Sequence, residues 1–299
     1  MIFIMKNRLL LTFTAILSCV CGVHADNITY TKADSIKVVT LLKEGRKQPK
    51  GTNIMLYYGT KLCGTPYVAH TLEVNKTEKL VVNLRQLDCT TFVETVFALS
   101  LTTKNGSVSW TDYCHWLEKI RYKHGMRNGY VSRNHYFLWW CESNERQGLV
   151  KLPLQELLKK ERTTAFTYAK RQHININYMS THTASYKMLK GNKADIKAIA
   201  NHEMESQGKV MMYIPKDKMG LSYEQLHYVK DGDIIAIATK LKGLDTSHIG
   251  IASWGKDGKL HLLNASSIHK KVVLEPKTMK QYMGEHPSQI GIWIIRPML

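Results

Sequence analysis

The first part of the chain has the hydrophobic pattern of amphipathic helices. Apolar residues recur every three or four positions, as between residues 110 and 123, where Tyr113, Leu117 and Ile120 fall on one face. The same reading predicts further helical segments at residues 35–46, in a segment ending at Tyr58, and at residues 152–173 and 193–206. Residues 26 to about 125 are therefore predicted to be mainly helical, and residues 126–230 to mix loops with helical pieces.

From Asp231 onward, apolar and polar residues alternate, which is typical of strands. The predicted strands span residues 234–239, 247–254, 260–265, 271–275 and 290–296. Helices first and an antiparallel sheet later is the order expected of an α+β domain. The chain contains no internal repeat, low-complexity tract or Pro- or Ser-rich linker. We therefore expect residues 26–299 to form a single domain.

Residues 1–25 have the features of a secretory signal peptide. Lys6 and Arg8 precede an apolar stretch, and residues 23–25 match the small-residue pattern of a signal-peptidase site. This stretch is too short for a comfortable membrane span, and no later segment approaches the roughly 20 apolar residues that a spanning helix needs. Cys19 follows a weak lipidation pattern, so a lipid anchor there remains an alternative. The chain is predicted to be exported, to the periplasm or as a secreted protein.

The composition is strongly basic, with 42 Lys and Arg against 24 Asp and Glu and a formal net charge of +18. Such a balance favours polyanionic partners. The basic residues are spread along the chain with no long run, which is typical of a solvated surface, and an exported protein seldom meets nucleic acid. We therefore expect a carboxylate-rich cell wall, and not nucleic acid, as the partner.

Four cysteines follow the signal segment, namely Cys63, Cys89, Cys114 and Cys141. Their even number allows a disulfide framework, but a chain of this length does not need one to form a core. No pair has C-x-x-C spacing, which disfavours a zinc ribbon or a thioredoxin-type site. Cys63 precedes a Gly-Thr-Pro turn, and Cys114 and Cys141 lie among aromatic residues, so these three are interpreted as structural. Their redox state is left open.

Cys89 is the cysteine whose position suits a nucleophile. Apolar residues follow it at the spacing of one helix face. Asp88 is suited to cap that helix, and Leu87 and Phe92 stand at the two positions of a hydrophobic staple. Cys89 would then be the first helical residue, where unpaired N–H groups and the helix dipole stabilise a thiolate and where its own N–H can serve an oxyanion. The alternative is a small buried cysteine that only fills space.

His248 is the candidate base for this thiol. The strand pattern gives it small neighbours on its own face, which leave it room. The following turn returns the chain to Asn264 in one of two registers. A three-residue loop with Gly258 in the left-handed conformation pairs Gly250 with Asn264 and puts Asn264 on the face of His248, whereas a two-residue loop turns it away. The alternatives are an ordinary strand histidine and a turn-proximal amide.

Three segments around these residues resemble sequence blocks of the NlpC-type papain-like cell-wall cysteine hydrolases. They are residues 88–93 (DCTTFV), 247–251 (SHIGI) and 263–267 (LNASS). Residues 64–67 (GTPY) match the block that precedes the nucleophile in that family. Each block alone is a weak signal, but the four occur in the family's order and spacing.

This resemblance implies a papain-like fold in which the nucleophile helix packs on the antiparallel sheet. It implies Cys89 as nucleophile, His248 as base and Asn264 as the third polar residue, where the family more often has histidine. It also implies that Tyr67 places a hydroxyl near the reaction centre and that Asp88 contributes to substrate binding. No metal ion or other cofactor is implied.

Residues 126–230 lie outside the basic family pattern. Their segments at residues 130–137 and 178–182 are similar to the N-acetylmuramoyl-L-alanine amidase-like branch of the family. We expect this insertion to shape the substrate cleft, with Arg133 and His182 binding carboxylate or sugar groups of the substrate. The alternative role of both residues is loop structure.

The branch implies an enzyme that hydrolyses peptidoglycan or muropeptides between the lactyl group of muramic acid and L-alanine, and we expect it to be a monomer. Two alternatives remain: an endopeptidase that cuts after D-glutamate in the stem peptide, and a non-catalytic wall-binding protein on the same scaffold. A zinc amidase is disfavoured, because the 13 histidines include no H-E-x-x-H pair and the segment at His202 lacks the second histidine.

Overall fold

The computed structural model describes residues 27–159 and 168–299. The predicted signal peptide, with Cys19, lies outside these residues. The α-helices of the described part are α1 (Lys32–Gly45), α2 (Ile54–Lys61), α3 (Cys89–Lys104), α4 (Trp110–Arg121), α5 (Phe137–Arg146), α6 (Pro153–Lys159), α7 (Tyr178–Thr181), α8 (Lys193–Glu205) and α9 (Met279–Gly284). None of these helices combines the length and the apolar character needed to cross a lipid bilayer.

Most strands belong to one antiparallel sheet. The strands are β1 (Ile28–Thr29), β2 (Leu80–Val81), β3 (Val150–Lys151), β4 (Lys170–His173), β5 (Val210–Pro215), β6 (Ile234–Thr239), β7 (Thr246–Trp254), β8 (Leu260–Ser266), β9 (Lys271–Leu274) and β10 (Gln289–Pro297). β1 and β2 pair in parallel and form a separate two-stranded sheet. The large sheet has the neighbour order β4-β5-β10-β6-β7-β8-β9, and β3 also pairs with β10.

The central strand β6 is buried on both faces. Ile234 and Ala236 face the larger hydrophobic core, which contains α3, whereas Ile235 and Ile237 face a smaller core on the other side of the sheet. This explains why β6 is a continuous apolar run, since a strand covered on both faces has no polar side. Residues 91–102 of α3 are all buried. The helix that carries the candidate nucleophile is therefore fixed against the sheet.

A buried ion pair links α3 to its neighbours. Nε of Arg121 in α4 lies 2.7 Å from Oε2 of Glu94 in α3, and both side chains are almost fully buried. Nη1 of Arg121 donates to the carbonyl oxygen of Val81 in β2 at 2.7 Å. Because each charge has a hydrogen-bonded partner, the pair can remain inside the protein and hold α3, α4 and β2 together.

The α+β class expected from the sequence is confirmed. The five predicted strands occur to within one residue at each end, and the helices predicted at residues 35–46, 110–123 and 193–206 occur as α1, α4 and α8. The prediction of one helix over residues 152–173 is wrong at its end, because residues 170–173 form β4 and pair with β5. This segment reads Lys-Arg-Gln-His, so it lacks the apolar alternation that marks a strand. The finer papain-like assignment stays a prediction.

Gly291→Ala is expected to destabilise the protein by about 1–3 kcal/mol, the range typical of overpacking. A Cβ at this position in β10 would lie 2.2 Å from the carbonyl oxygen of Ile214 in β5, and a backbone atom cannot turn aside. Gly284→Ala is the matched control, because a Cβ there meets nothing within 4 Å. Urea unfolding followed by circular dichroism gives the free energy of unfolding of both variants. Equal stabilities would contradict the close approach of β5 to β10.

Candidate active site

Cys89 is the first residue of α3, as the sequence predicts. Asp88 caps the helix: its Oδ1 accepts a hydrogen bond from the N–H of Thr91 at 2.8 Å, and the Asp88 N–H donates to Oγ1 of Thr91 at 2.9 Å. These reciprocal bonds form a capping box. Leu87 and Phe92, at the predicted staple positions, are fully buried. The cap and the two apolar anchors together fix where the helix begins and so where the thiol lies.

The thiol of Cys89 lies where β7 and β8 separate. The pairing of these strands ends at Ile251 and Leu263, although both strands extend further. Ala252 exchanges backbone hydrogen bonds with the residues just before β6. Since hydrogen-bonding directions alternate along a strand, the N–H of Ile249 points to the β8 side. On that side, the N–H of Ile249 is directed at the sulfur of Cys89 and lowers the pKa of the thiol. The helix start thus occupies the gap between the two strands.

The β7–β8 hairpin has the register that brings His248 and Asn264 together. The N–H of Gly255 donates to the carbonyl oxygen of Lys259 at 2.8 Å, and Gly258 has a φ of +70°. The loop therefore has three residues with a left-handed glycine, which is the first of the two alternatives open from the sequence. Nε2 of His248 and Oδ1 of Asn264 lie 3.0 Å apart.

Asn264 determines which nitrogen of His248 carries the proton. Its Nδ2 donates to the carbonyl oxygen of Leu262 at 3.2 Å, so its Oδ1 faces the imidazole. An amide oxygen only accepts hydrogen bonds, so Nε2 must be protonated, and Nδ1 of the neutral ring keeps its lone pair. His248 therefore retains one nitrogen that can take up a proton, and it lines the same cavity as Cys89.

The electrostatics differ from those expected at a helix start alone. Burial, followed by the effect of the Asp88 carboxylate, raises the pKa of the Cys89 thiol to about 11, although the N–H of Ile249 lowers it. Burial also lowers the pKa of His248 below its ordinary value, against the opposite effect of the bond to Asn264. Desolvation disfavours both charged forms. These shifts favour a neutral thiol and a neutral imidazole at neutral pH, whereas the helix start alone favours a thiolate.

Tyr67 and Asp88 lie close to the thiol. Burial raises the pKa of Tyr67, and the negative forms of Cys89 and Asp88 raise it further, which places the phenol within electrostatic range of both. Its N–H donates to the carbonyl oxygen of Lys270 at 2.9 Å, so the segment is attached to the start of β9. Oδ2 of Asp88 accepts from the hydroxyl of Thr71 at 3.3 Å. The roles of both residues towards a substrate stay predictions.

Arg133 does not have the role expected from the sequence. Its guanidinium is buried, with Nη1 at 2.6 Å from Glu73 Oε1 and Nε at 3.0 Å from Glu78 Oε1. It also lies over the ring of Tyr130, 4.8 Å from the centroid. A buried cation with two carboxylate partners is already neutralised and is inaccessible to a substrate anion. This geometry indicates a structural role for Arg133 and does not support the prediction that it binds substrate.

His182 is solvent-exposed and lies outside the residues that line the Cys89 cavity. Its ring stacks on Tyr178 with 4.0 Å between the centroids, and its Nδ1 lies 3.0 Å from the carbonyl oxygen of the same residue. These contacts are local to α7. Binding of substrate by His182 stays a prediction without support from this geometry.

The insertion contributes one wall of the cavity that contains Cys89 and His248. The cavity has a volume of about 200 Å³, and its insertion-derived lining residues are Asn134, His135, Tyr136, Phe137, Trp140, Met179 and Tyr186. His135 was not predicted as a site residue. Its Nε2 lies 2.8 Å from the carbonyl oxygen of Tyr130, and burial lowers its pKa well below the ordinary value, so the ring is neutral. Nothing in the sequence separates it from the other histidines.

Asp245, also missed from the sequence, attaches the insertion to the strand of His248. Its Oδ2 accepts from the N–H of Leu138 in α5 at 2.7 Å, and its Oδ1 accepts from the N–H of Thr246 in β7 at 2.7 Å. The carboxylate is buried and lines the cavity. It therefore fixes the start of β7 relative to α5.

The remaining cysteines of the described residues are free. Cys114 and Cys141 are buried, whereas Cys63 is exposed. Within residues 27–159 and 168–299, no three His, Cys, Asp or Glu side chains lie close enough together to hold a metal ion. Among the cysteines of this part of the chain, only Cys89 lines the cavity with a histidine.

Comparison with known proteins identifies one family and several related structures. The sequence pattern of a family described as AmiA-like, N-acetylmuramoyl-L-alanine amidase-like, matches residues 57–292. An N-acetylmuramoyl-L-alanine amidase from Bacteroides uniformis is 36% identical, with a TM-score of 0.74, and the match covers 86% of this chain and 100% of that one. A Bacteroides fragilis protein with a provisional xylanase name is 38% identical, with a TM-score of 0.72, and the match covers 81% and 99%.

A more distant structure shares the fold alone. A protein from Legionella pneumophila is 22% identical, with a TM-score of 0.65, and the match covers 89% of this chain and 95% of that one. No curated protein matches the chain.

Alkylation of Cys89 by iodoacetamide is expected to be slow at pH 7 and to rise about tenfold per pH unit up to pH 10, because only the thiolate reacts and the pKa of this thiol is raised to about 11. Mass spectrometry of the modified peptide measures the rate at each pH. Exposed Cys63 in the same samples is the internal control for reagent reactivity. A rate for Cys89 that is already high at pH 6 and independent of pH would indicate an ion pair and contradict the neutral site.

Proposed function

Since the chain belongs to the AmiA-like family of N-acetylmuramoyl-L-alanine amidase-like proteins, we propose that it is a cysteine-dependent peptidoglycan amidase. The bond cleaved is the amide between the lactyl group of muramic acid and L-alanine. One observation carries the proposal: Cys89 at a helix start lines a cavity with His248, whose Nε2 is bonded to Asn264. A thiol, an imidazole and a residue that orients it are the parts that nucleophilic acyl transfer needs.

The first step transfers the acyl group to the enzyme. As the sulfur of Cys89 attacks the lactyl carbonyl carbon, the thiol proton passes to Nδ1 of His248. The resulting imidazolium is stabilised through Nε2 by the oxygen of Asn264. The carbonyl oxygen becomes an oxyanion, which the N–H of Cys89 stabilises, because the first residue of a helix leaves its N–H outside the helical hydrogen bonds. The hydroxyl of Tyr67 is the proposed second donor.

The second step releases both products. The imidazolium of His248 returns its proton to the L-alanine nitrogen as the C–N bond breaks, which leaves a thioester on Cys89. His248, now neutral, takes a proton from a water molecule that attacks the thioester carbon. The sulfur leaves and recovers a proton, and the muramic acid carboxylate is released. No step requires a metal ion.

The lining of the cavity favours an amidase over a glycosidase. Cleavage of a glycosidic bond generally uses two carboxyl groups on opposite sides of the scissile bond. Among the described residues that line this cavity, Asp245 is the one carboxylate, and its two oxygens accept backbone hydrogen bonds. The provisional xylanase name of the relative therefore finds no support here.

The remaining parts of the proposal concern context. We propose that residues 26–299 form one papain-like domain of the NlpC type, exported as a monomer through the signal at residues 1–25, with a lipid anchor at Cys19 as the alternative. In this proposal, residues 126–230 shape the substrate cleft. Asp88, whose Oδ2 has a long 3.3 Å contact to Thr71, retains capacity to accept a further hydrogen bond from substrate.

Cys89→Ala is expected to reduce hydrolysis of a soluble muropeptide by at least about a thousandfold, as removal of a nucleophile does. The wild-type products, identified by mass spectrometry, should include an intact stem peptide that begins with L-alanine. Cys63→Ala is the matched control, since that exposed thiol lies outside the cavity, and it should retain full activity.

Three results would redirect or overturn the proposal. Release of an L-alanyl-D-glutamate dipeptide, or of its sugar-linked form, would indicate the stem-peptide endopeptidase. Absence of hydrolysis by the wild type, with muropeptide binding retained, would indicate a wall-binding protein. Activity that a chelator abolishes and thiol alkylation leaves intact would indicate a metal-dependent enzyme.

A further inference from the structure

A second and larger cavity lies at the other end of α3. It has a volume of about 700 Å³, against about 200 Å³ for the cavity at Cys89. Its walls come from the end of α1, the loop that follows it and the start of α2, from Thr103 and Lys104 at the end of α3, and from residues 230–233 and the end of β10. At a rise of 1.5 Å per residue, the two ends of α3 are roughly 22 Å apart. The second cavity is therefore separate from the candidate active site.

The charged side chains around this cavity are mainly basic. They are Arg46, Lys50, Lys104, Lys230 and Arg296, against Asp231 and Asp233. Both Arg46 and Lys50 are exposed and make no ion pair or side-chain hydrogen bond with any described residue. Their positive charges are thus available to a ligand.

The acidic side chains of the cavity already have partners. The carboxylate of Asp233 is buried and bonded by Arg296 at 2.9 and 2.8 Å. Oδ1 of Asp231 accepts from the N–H of Trp254 at 2.7 Å. Lys230 lies near Asp233, but the carboxylate of Asp233 is already paired with Arg296. The positive charge of Lys230 is therefore only partly compensated. A ligand anion would therefore meet an excess of positive charge.

Apolar residues also line the cavity. Ile54, Met55, Pro49, Pro297 and Leu299 contribute to its lining. Ligand sites commonly have volumes of about 300–1,000 Å³, with mostly apolar walls and a few polar groups that orient the ligand. A cavity of this size with a basic rim suits an extended ligand that carries both carboxylates and small apolar side chains.

We propose that this cavity, the α3 C-terminal cavity, binds a second carboxylate-bearing stem peptide of the peptidoglycan polymer, other than the one whose amide bond lies at Cys89. The inference rests on the proposed function, because the substrate of that reaction supplies many such peptides along each strand. Holding a second peptide keeps the enzyme on the polymer and raises the effective concentration of amide bonds at the active site.

The test compares binding to insoluble sacculi with turnover of a soluble monomeric muropeptide. Arg46→Gln, Lys50→Gln and Lys104→Gln are combined, and the matched control combines Lys32→Gln, Lys240→Gln and Lys280→Gln, three exposed lysines that line neither this cavity nor the one at Cys89 and lie outside residues 126–230. Both variants lose three positive charges. Binding is measured by co-sedimentation. Every protein in this assay, including the wild-type reference, also carries the substitution Cys89→Ala, so that the polymer stays intact.

The cavity variant is expected to bind sacculi at least about tenfold more weakly than the control variant, since one of two linked contacts is lost. With Cys89 restored, both variants should turn over the soluble muropeptide within twofold of the wild type, and thermal melts should show both folded. Equal binding of sacculi by the two variants would overturn the proposal, as would a wild type that does not sediment with sacculi.

Chemical amidation of the sacculi tests the ligand class. If the cavity recognises carboxylates, wild-type protein should lose affinity for amidated sacculi until it binds no better than the cavity variant. If the wild type still bound amidated sacculi more tightly than the cavity variant does, the carboxylate assignment would be overturned. Failure of the proposed function is seen separately, as the absence of Cys89-dependent hydrolysis of the soluble muropeptide.

Discussion

The separation of β7 from β8 beyond Ile251 is the constraint on which the candidate site depends. A continuous ladder would direct the N–H of Ile249 at β8 and leave no place for a helix end. Because the strands part, the start of α3 enters the gap, while the hairpin that still joins them keeps the side chains of His248 and Asn264 on one face, within hydrogen-bond distance. One left-handed residue, Gly258, sets the register that makes this pairing, and a one-residue shift would turn Asn264 to the other face.

The same arrangement disfavours the charged forms of Cys89 and His248. The Asp88 carboxylate that caps α3 also lies beside the thiol, so the group that positions Cys89 opposes its ionisation. Burial acts in the same direction on the thiol and lowers the pKa of His248. In the proposed reaction, proton transfer then accompanies attack on the substrate instead of preceding it. Asn264 matters most at that moment, because it stabilises the cation that His248 becomes.

The sequence predicts those features whose causes are local. Asp88 caps a helix between the staple residues Leu87 and Phe92, and Gly258 lies in a turn between two alternating segments. The nucleophile helix and the hairpin could therefore be predicted from the sequence. The structural role of Arg133 could not be predicted, because its partners Glu73 and Glu78 are 60 and 55 residues away in the sequence. The protonation state of the thiol also escapes sequence reasoning, since it depends on burial set by the tertiary fold. The family resemblance supplied the proposed chemistry.

The most direct test of this account is an NMR titration of the His248 imidazole in protein labelled with nitrogen-15. The account predicts a neutral ring near pH 7, protonated at Nε2, that titrates below its ordinary pKa. Asn264→Ala should remove the preference for the Nε2-protonated tautomer. A ring that stays doubly protonated above pH 7, or that carries its single proton on Nδ1, would contradict the claim that Asn264 holds His248 as a neutral base for the thiol of Cys89.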